Sequence, residues 1–60
     1  MTEAELFAVQ DALYNAGFDV YVDGFYGEGT EAALQEFQQQ NKINEGGKVG
    51  AKTRSALGLQ

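Results

Sequence analysis

"VDGFYGEGTEAAL", residues 22–34, decides the fold. Gly24, Gly27 and Gly29 stand beside Phe25 and Tyr26, and the stretch then runs straight into a helix-like sequence. A second copy, "GGKVGAKTRSAL", occupies residues 46–57. Thr30 and Thr53 lie 23 positions apart, and Gly24/Gly47, Gly27/Gly50, Ala33/Ala56 and Leu34/Leu57 fall at the same offset. Each copy therefore reads Gly-x-x-Gly-x-x-Thr, followed by a small residue and Leu. The first glycine permits a turn with positive φ. The second ends the loop at a helix N-cap. The threonine, one turn in, brings a hydroxyl within reach of the open backbone groups at the helix start. Tyr26 and Val49, which precede the second glycine, are expected to plug into the core, and Phe25 and Lys48 to face outward.

Outward from the two units, the remaining chain supplies helices. "TEAELFAVQDALYNAG" carries Leu6, Val9, Leu13 and Ala16 at helical spacing, with Phe7 and Tyr14 on either side of the stripe. Thr2 and Glu5 form a capping-box pattern at its start, and Gly17 falls at the expected left-handed C-cap. "FDVYVD", residues 18–23, alternates apolar and polar and reads as an extended loop, with Phe18, Val20 and Val22 inward and Asp19, Tyr21 and Asp23 outward. The second helix starts from Gly27 with Glu28 and Glu31 in its first turn, buries Thr30, Ala33, Leu34 and Phe37, and ends in a solvated Gln38-Gln39-Gln40 tail. "KINEGGKVG" is a loop anchored by Ile43. The third helix is short, ends near Gly58, and places Lys52 and Arg54 in a first turn that disfavours cations. The expected fold is all-α: a small three-helix bundle built on two similar loop–helix units, with residues 1–60 as one domain.

Composition removes several functions. A chain of 60 residues buries only about 60% of its unfolded surface, so stability is marginal. With no Cys and no His, neither a disulfide framework nor a thiolate or imidazole metal site is available, and no cofactor is expected. "DVYVDGFYGEGT", residues 19–30, has a glycine at the sixth place of a calcium loop, but Tyr21 and Thr30 occupy the third and twelfth places, where oxygen ligands are required. A formal charge of −5 with four cations argues against nucleic acid and against anionic membranes. No apolar run approaches a membrane span. The acidic start "MTEAELFAVQ" lacks the basic-then-apolar order of a signal peptide, so the chain acts where it is made, or another segment or a lysis system carries it out. Glu31 and Glu36 sit on a helix surface and form no enclosed carboxylate pair, so the chain is expected not to be an enzyme.

The order of these motifs resembles the peptidoglycan-binding module of many bacterial and phage cell-wall hydrolases. The resemblance rests on Val9 and Leu13, Gly17-Phe18, Asp23 to Thr30, Phe37-Gln38 and Gly46 to Thr53, and covers almost the whole chain. The chain departs from the family pattern at Gly46, where Asp is usual, at Glu28-Gly29 and Ala51-Lys52, where Pro-Lys is common, and at Arg54, where an aromatic is frequent. The resemblance implies a monomeric, non-catalytic module that holds a hydrolase or phage lysis protein against peptidoglycan or a muropeptide. It places the protein at the wall, on the periplasmic or extracellular side. The implied ligand surface comprises Tyr21, Asp23, Gly24, Phe25, Gly27 and Thr30, with Lys52 and Arg54.

Each of these residues has two readings. Asp23 accepts hydrogen bonds from a sugar hydroxyl or a stem-peptide amine, or it braces its own turn. Tyr21 and Phe25 stack on saccharide faces, or are merely exposed. Lys52 and Arg54 meet muramyl-peptide carboxylates, or solubilise the surface. Binding is expected to be weak and to come from close contacts, because an acidic protein gains nothing at long range from an anionic wall. A protein-interaction or structural module on the same fold stays open as the alternative. The inhibitory leader of some secreted metalloproteinases resembles this fold, but it works through a Cys that this chain lacks.

Overall fold

The computed structural model describes residues 1–59. Three helices follow one another: α1 over Glu3–Asn15, α2 over Glu28–Gln40 and α3 over Ala51–Ala56. Among the described residues there is no strand. Residues 18–22 form no strand, as the isolation of the segment predicts, and the chain bends at Asp23.

The helix starts follow from their caps. Thr2 Oγ1 accepts a hydrogen bond from Glu5 N at 3.1 Å, which closes the first turn of α1. Gly27 and Gly50 are the extended N-caps of α2 and α3 and offer no side chain for this purpose. The helix ends share one device. Gly17, Lys42 and Gly58 take positive φ, and the next residue in each case donates its N–H back into the last turn: Phe18 to Leu13 O, Ile43 to Gln38 O and Leu59 to Arg54 O. This is the Schellman arrangement, in which the residue after the left-handed position makes an apolar contact with the helix. Phe18, Ile43 and Leu59 all pack against the core. Each helix thus ends by returning an apolar residue to the centre.

That centre consists of Val9, Leu13, Val20, Ala33, Leu34 and Phe37, with Val49 and Leu57 packed beside it. Phe18 meets Phe37 edge-on, with centroids 5.7 Å apart and planes at 74°. Fully burying a side chain such as Leu13 or Leu34 contributes about 2 kcal/mol, so a handful of residues carries the fold.

Four expectations change. Ala16 lies on the apolar stripe by spacing, yet it is exposed as the C-cap of α1. Val22 is exposed, because the chain turns away from the core as it approaches Gly24. Tyr26 does not plug the core: it is 41% exposed and reaches across the surface to donate its hydroxyl to Gly47 O at 3.3 Å. Its counterpart Val49 is half-buried and does pack inward. Arg54 falls in the last turn of α3, where a cation is favourable, because the helix is only six residues long.

Candidate functional site

The two loop–helix units are held by the same side chain. Gln10, wholly buried on α1, donates through Nε2 to Thr30 Oγ1 at 2.9 Å and to Phe25 O at 3.0 Å. Its Oε1 accepts the N–H of Gly24 at 2.8 Å and of Asp23 at 3.0 Å. Gln38, buried near the end of α2, repeats the pattern. Nε2 donates to Thr53 Oγ1 at 2.9 Å and to Lys48 O at 2.8 Å, and Oε1 accepts the Gly47 N–H at 2.9 Å. One primary amide satisfies one turn and one helix start at once. A glutamine suits the task because its two ends present donor and acceptor on one rigid plane.

Both threonine hydroxyls accept from a buried glutamine; Thr53 also donates to Glu45, and Thr30 finds the Phe25 carbonyl at 3.5 Å. Gln38 does not belong to a solvated tail: it is 4% exposed. Neither glutamine's role followed from the 23-residue repeat. A signal was nevertheless present: Leu6, Val9 and Gln10 match Leu34, Phe37 and Gln38 at an offset of 28, and each glutamine stands on an apolar stripe. The interval from glutamine to threonine is 20 residues in the first unit and 15 in the second, so the two halves of the device repeat at different offsets.

Glu45 is the third residue the motif reading missed. Its carboxylate accepts the N–H groups of Lys52 at 3.0 Å and Thr53 at 2.9 Å, and the Thr53 hydroxyl at 2.5 Å. It thereby caps α3 from outside the repeat. The Thr53 hydroxyl bond, followed by these backbone N–H groups, holds the Glu45 carboxyl below its ordinary pKa.

In the first unit, the loop around Asp19 to Thr30 forms an open depression of about 340 Å³. Tyr21 and Phe25 stand on it, 85% and 70% exposed. Gly27 and the buried Thr30 also line it. Asp23 also lines it, and its Oδ1 accepts from Phe25 N at 2.9 Å and from Gln10 Nε2 at 3.1 Å. That oxygen braces the turn. Gly24 lies instead under the Phe7 ring and lines a neighbouring depression with Leu6 and Tyr26. Partial burial, and then the Glu31 carboxylate, raise the Tyr26 phenol above its usual pKa.

Lys52 and Arg54 are not brought to this loop. Lys52 lines a depression with Asn41, Ile43 and Ser55, and Arg54 one with Val49 and Leu59. The Arg54 guanidinium is ion-paired with Glu5, which ties α3 to the start of α1. Among the described residues, no helix is long and apolar enough to cross a membrane.

Fold and site together define a small helical domain in which two glutamine-clasped turns present loops. The profile of the peptidoglycan binding domain family matches residues 2–57, and the chain belongs to that family. No significant match exists among curated proteins or among solved structures. The family consists of binding modules for the bacterial wall polymer, so peptidoglycan is the indicated ligand and the cell wall the indicated place.

Proposed function

We propose that residues 1–60 act as a single, monomeric, non-catalytic module that holds a wall hydrolase or a phage lysis protein against murein through the Tyr21–Thr30 loop. On this reading the site lies on the outer side of the cell membrane, and the protein that carries it need not bind tightly through this module alone.

The observation that carries the reading is a pair of exposed aromatic rings on an otherwise fixed loop. Tyr21 and Phe25 are the most exposed aromatic side chains among the described residues, and Gln10 fastens the backbone from Asp23 to Phe25, which carries one ring and adjoins the other, to two helices. A loop already held in place loses little entropy on binding. Aromatic faces pack well on the C–H faces of saccharides. Lys52 and Arg54, on their separate depressions, offer a second contact toward stem-peptide carboxylates.

Co-sedimentation with purified sacculi tests the proposal. The domain is expected in the pellet at low and moderate salt, and Tyr21→Ala is expected largely in the supernatant with an unchanged circular dichroism spectrum. A wild-type domain that stays in the supernatant at both salt concentrations overturns the reading.

A further inference from the structure

The two clasps differ at one atom. The oxygen of a side-chain amide has two lone pairs. Gln10 Oε1 uses both, for the N–H groups of Gly24 and Asp23. Gln38 Oε1 accepts only from Gly47 N, because Gly46, at the place of Asp23, donates to no group among the described residues. The Gln38 Nε2 hydrogens are both taken, by Lys48 O and Thr53 Oγ1, so the amide cannot turn to find a donor. One acceptor is left open on a side chain that is itself buried, and such a group gains from an incoming donor.

Gln38 lines a depression of about 350 Å³ together with Gln35, Gln39, Asn44, Gly46 and Gly47. The Gln35 amide stands close over the turn: a Cβ on Gly47 would lie 3.3 Å from its Nε2. Gln35, Gln39 and Asn44 are exposed, and their side chains make no hydrogen bond among the described residues. The turn beneath them is fixed, since Gly47 donates its N–H to Gln38 and accepts from the Tyr26 hydroxyl. No charged side chain lines this depression, whereas Asp19, Asp23 and Glu28 line the one at Tyr21. A carboxylate or phosphate brings no donor to Gln38 Oε1 and meets no counter-charge here. A sugar hydroxyl or acetamido N–H does bring a donor, and the free amide groups can match the remaining oxygens.

We propose that the Gln38 depression is a second contact for the wall polymer and takes an uncharged sugar residue of its glycan strand. A hydroxyl or acetamido N–H of that sugar donates to the open lone pair of Gln38 Oε1, and the Gln35 and Asn44 amides meet its other oxygens. This rests on the wall-binding reading and adds to the contact at the Tyr21 loop.

NMR titrations of the whole domain with an N-acetylglucosamine tetramer and with a stem pentapeptide test this. The tetramer is expected to shift the backbone amides of residues 35–47 and the side-chain NH2 pair of Gln38. The same shifts are expected in Tyr21→Ala, since the two depressions share no lining residue. In that variant the Gln10 NH2 pair, whose oxygen is already filled, should stay in place. The pentapeptide is expected to leave the Gln38 pair unmoved. The Gln35→Ala, Asn44→Ala double variant removes no side-chain hydrogen bond of the domain and is expected to fold normally and to bind the tetramer at this depression about fivefold more weakly. A Gln38 NH2 pair that the tetramer does not move overturns the proposal, as does one that the pentapeptide moves equally, or a double variant with unchanged affinity. If the sacculi still sediment the wild type in that case, wall binding stands and only the second contact falls.

Discussion

The two loop–helix units use the same clasp, but they differ in how much rests on it. In the first unit Gln10 makes five hydrogen bonds, to Asp23, Gly24, Phe25 and Thr30, and Asp23 adds an internal brace to Phe25 N. In the second, Gln38 makes three, Gly46 stands where that brace would be, and the stabilisation moves to Glu45 at the N-terminus of α3. The Thr30 hydroxyl finds only the Phe25 carbonyl at 3.5 Å as an acceptor, whereas the Thr53 hydroxyl donates to Glu45 at 2.5 Å. One unit is thus held from inside by an amide, and the other is shared between an amide and a surface carboxylate. The first unit carries the exposed aromatic loop, so the more strongly clasped turn is also the one proposed to offer the aromatic contact.

This difference predicts unequal costs for one substitution. Gln10→Ala leaves the Gly24 and Asp23 N–H groups without their acceptor and the Phe25 carbonyl and Thr30 hydroxyl with only their long contact to each other, and unsatisfied buried groups cost about 1–3 kcal/mol each. The expected loss is roughly 4 kcal/mol, enough to unfold much of a domain this small. Gln38→Ala should cost about 2 kcal/mol, because Glu45 still holds Thr53. Urea denaturation of both variants measures the gap. Equal losses would show that the two clasps contribute alike and that Glu45 does not support the second.

The paired glycines sharpen the contrast. Gly24 has a φ of 73°, and a Cβ there would stand 2.6 Å from the Phe7 ring. Gly47 has a similar φ of 79°, but its Cβ would meet the Gln35 side chain at 3.3 Å, and that side chain is exposed and free to move. Both alanine variants pay the conformational penalty of about 1 kcal/mol, and Gly24→Ala adds a steric cost of about 1–2 kcal/mol. Replacing Phe7 with Ala in the Gly24→Ala background should recover the steric part only. No recovery in the double variant would mean that the ring is not the obstacle.

Much of this was legible in the sequence, and the exceptions share one cause. The helices, the N-caps at Gly27 and Gly50 and the turn glycines follow from local pattern, because each depends on neighbours within a few residues. The clasps span intervals of 20 and 15 residues, and a glutamine carries no local signature of burial. Its presence on an apolar stripe is informative only once the loop it serves is known. Tyr26 and Val22 misled for a related reason: apolar character predicts burial, but the sharp turn at Gly24 leaves both facing out. Of the proposed site, the exposure of Tyr21 and Phe25 was readable. The dispersal of Lys52 and Arg54 over separate depressions was not, since the path of α3 decides it.

Acid should act on the second unit through Glu45. The Glu45 carboxyl has a lowered pKa in the folded domain, so its contribution is fully present above the ordinary glutamate pKa and is lost as pH falls through the folded value. The bond from the Gly24 N–H to the Gln10 amide in the first unit involves no titratable group. Hydrogen exchange or NMR shifts at residues 45–56 should therefore report loosening at acidic pH, while that of the Gly24 N–H, held by an amide oxygen, stays unchanged. In Glu45→Gln this acid-dependent difference should vanish, at a small constant loss of stability. Equal loosening of both loops in the wild type would assign the effect to general acid unfolding instead.

The smallest effect concerns the link from the second unit to the first. Arg54 and Glu5 join α3 to α1 through side chains that are about 32% and 30% exposed. Pairs at that exposure are worth roughly 0–1 kcal/mol, because water and salt screen them and two long side chains must be held still. A double-mutant cycle with Arg54→Met and Glu5→Gln should give a coupling of about 0.5 kcal/mol at low salt and close to zero in molar salt. Arg54→Met alone should cost slightly more than that coupling, since a cation in the last turn of α3 also favours the helix dipole. A coupling above about 1.5 kcal/mol that survives high salt would mean that the pair, and not the glutamine clasp, holds the second unit against the first.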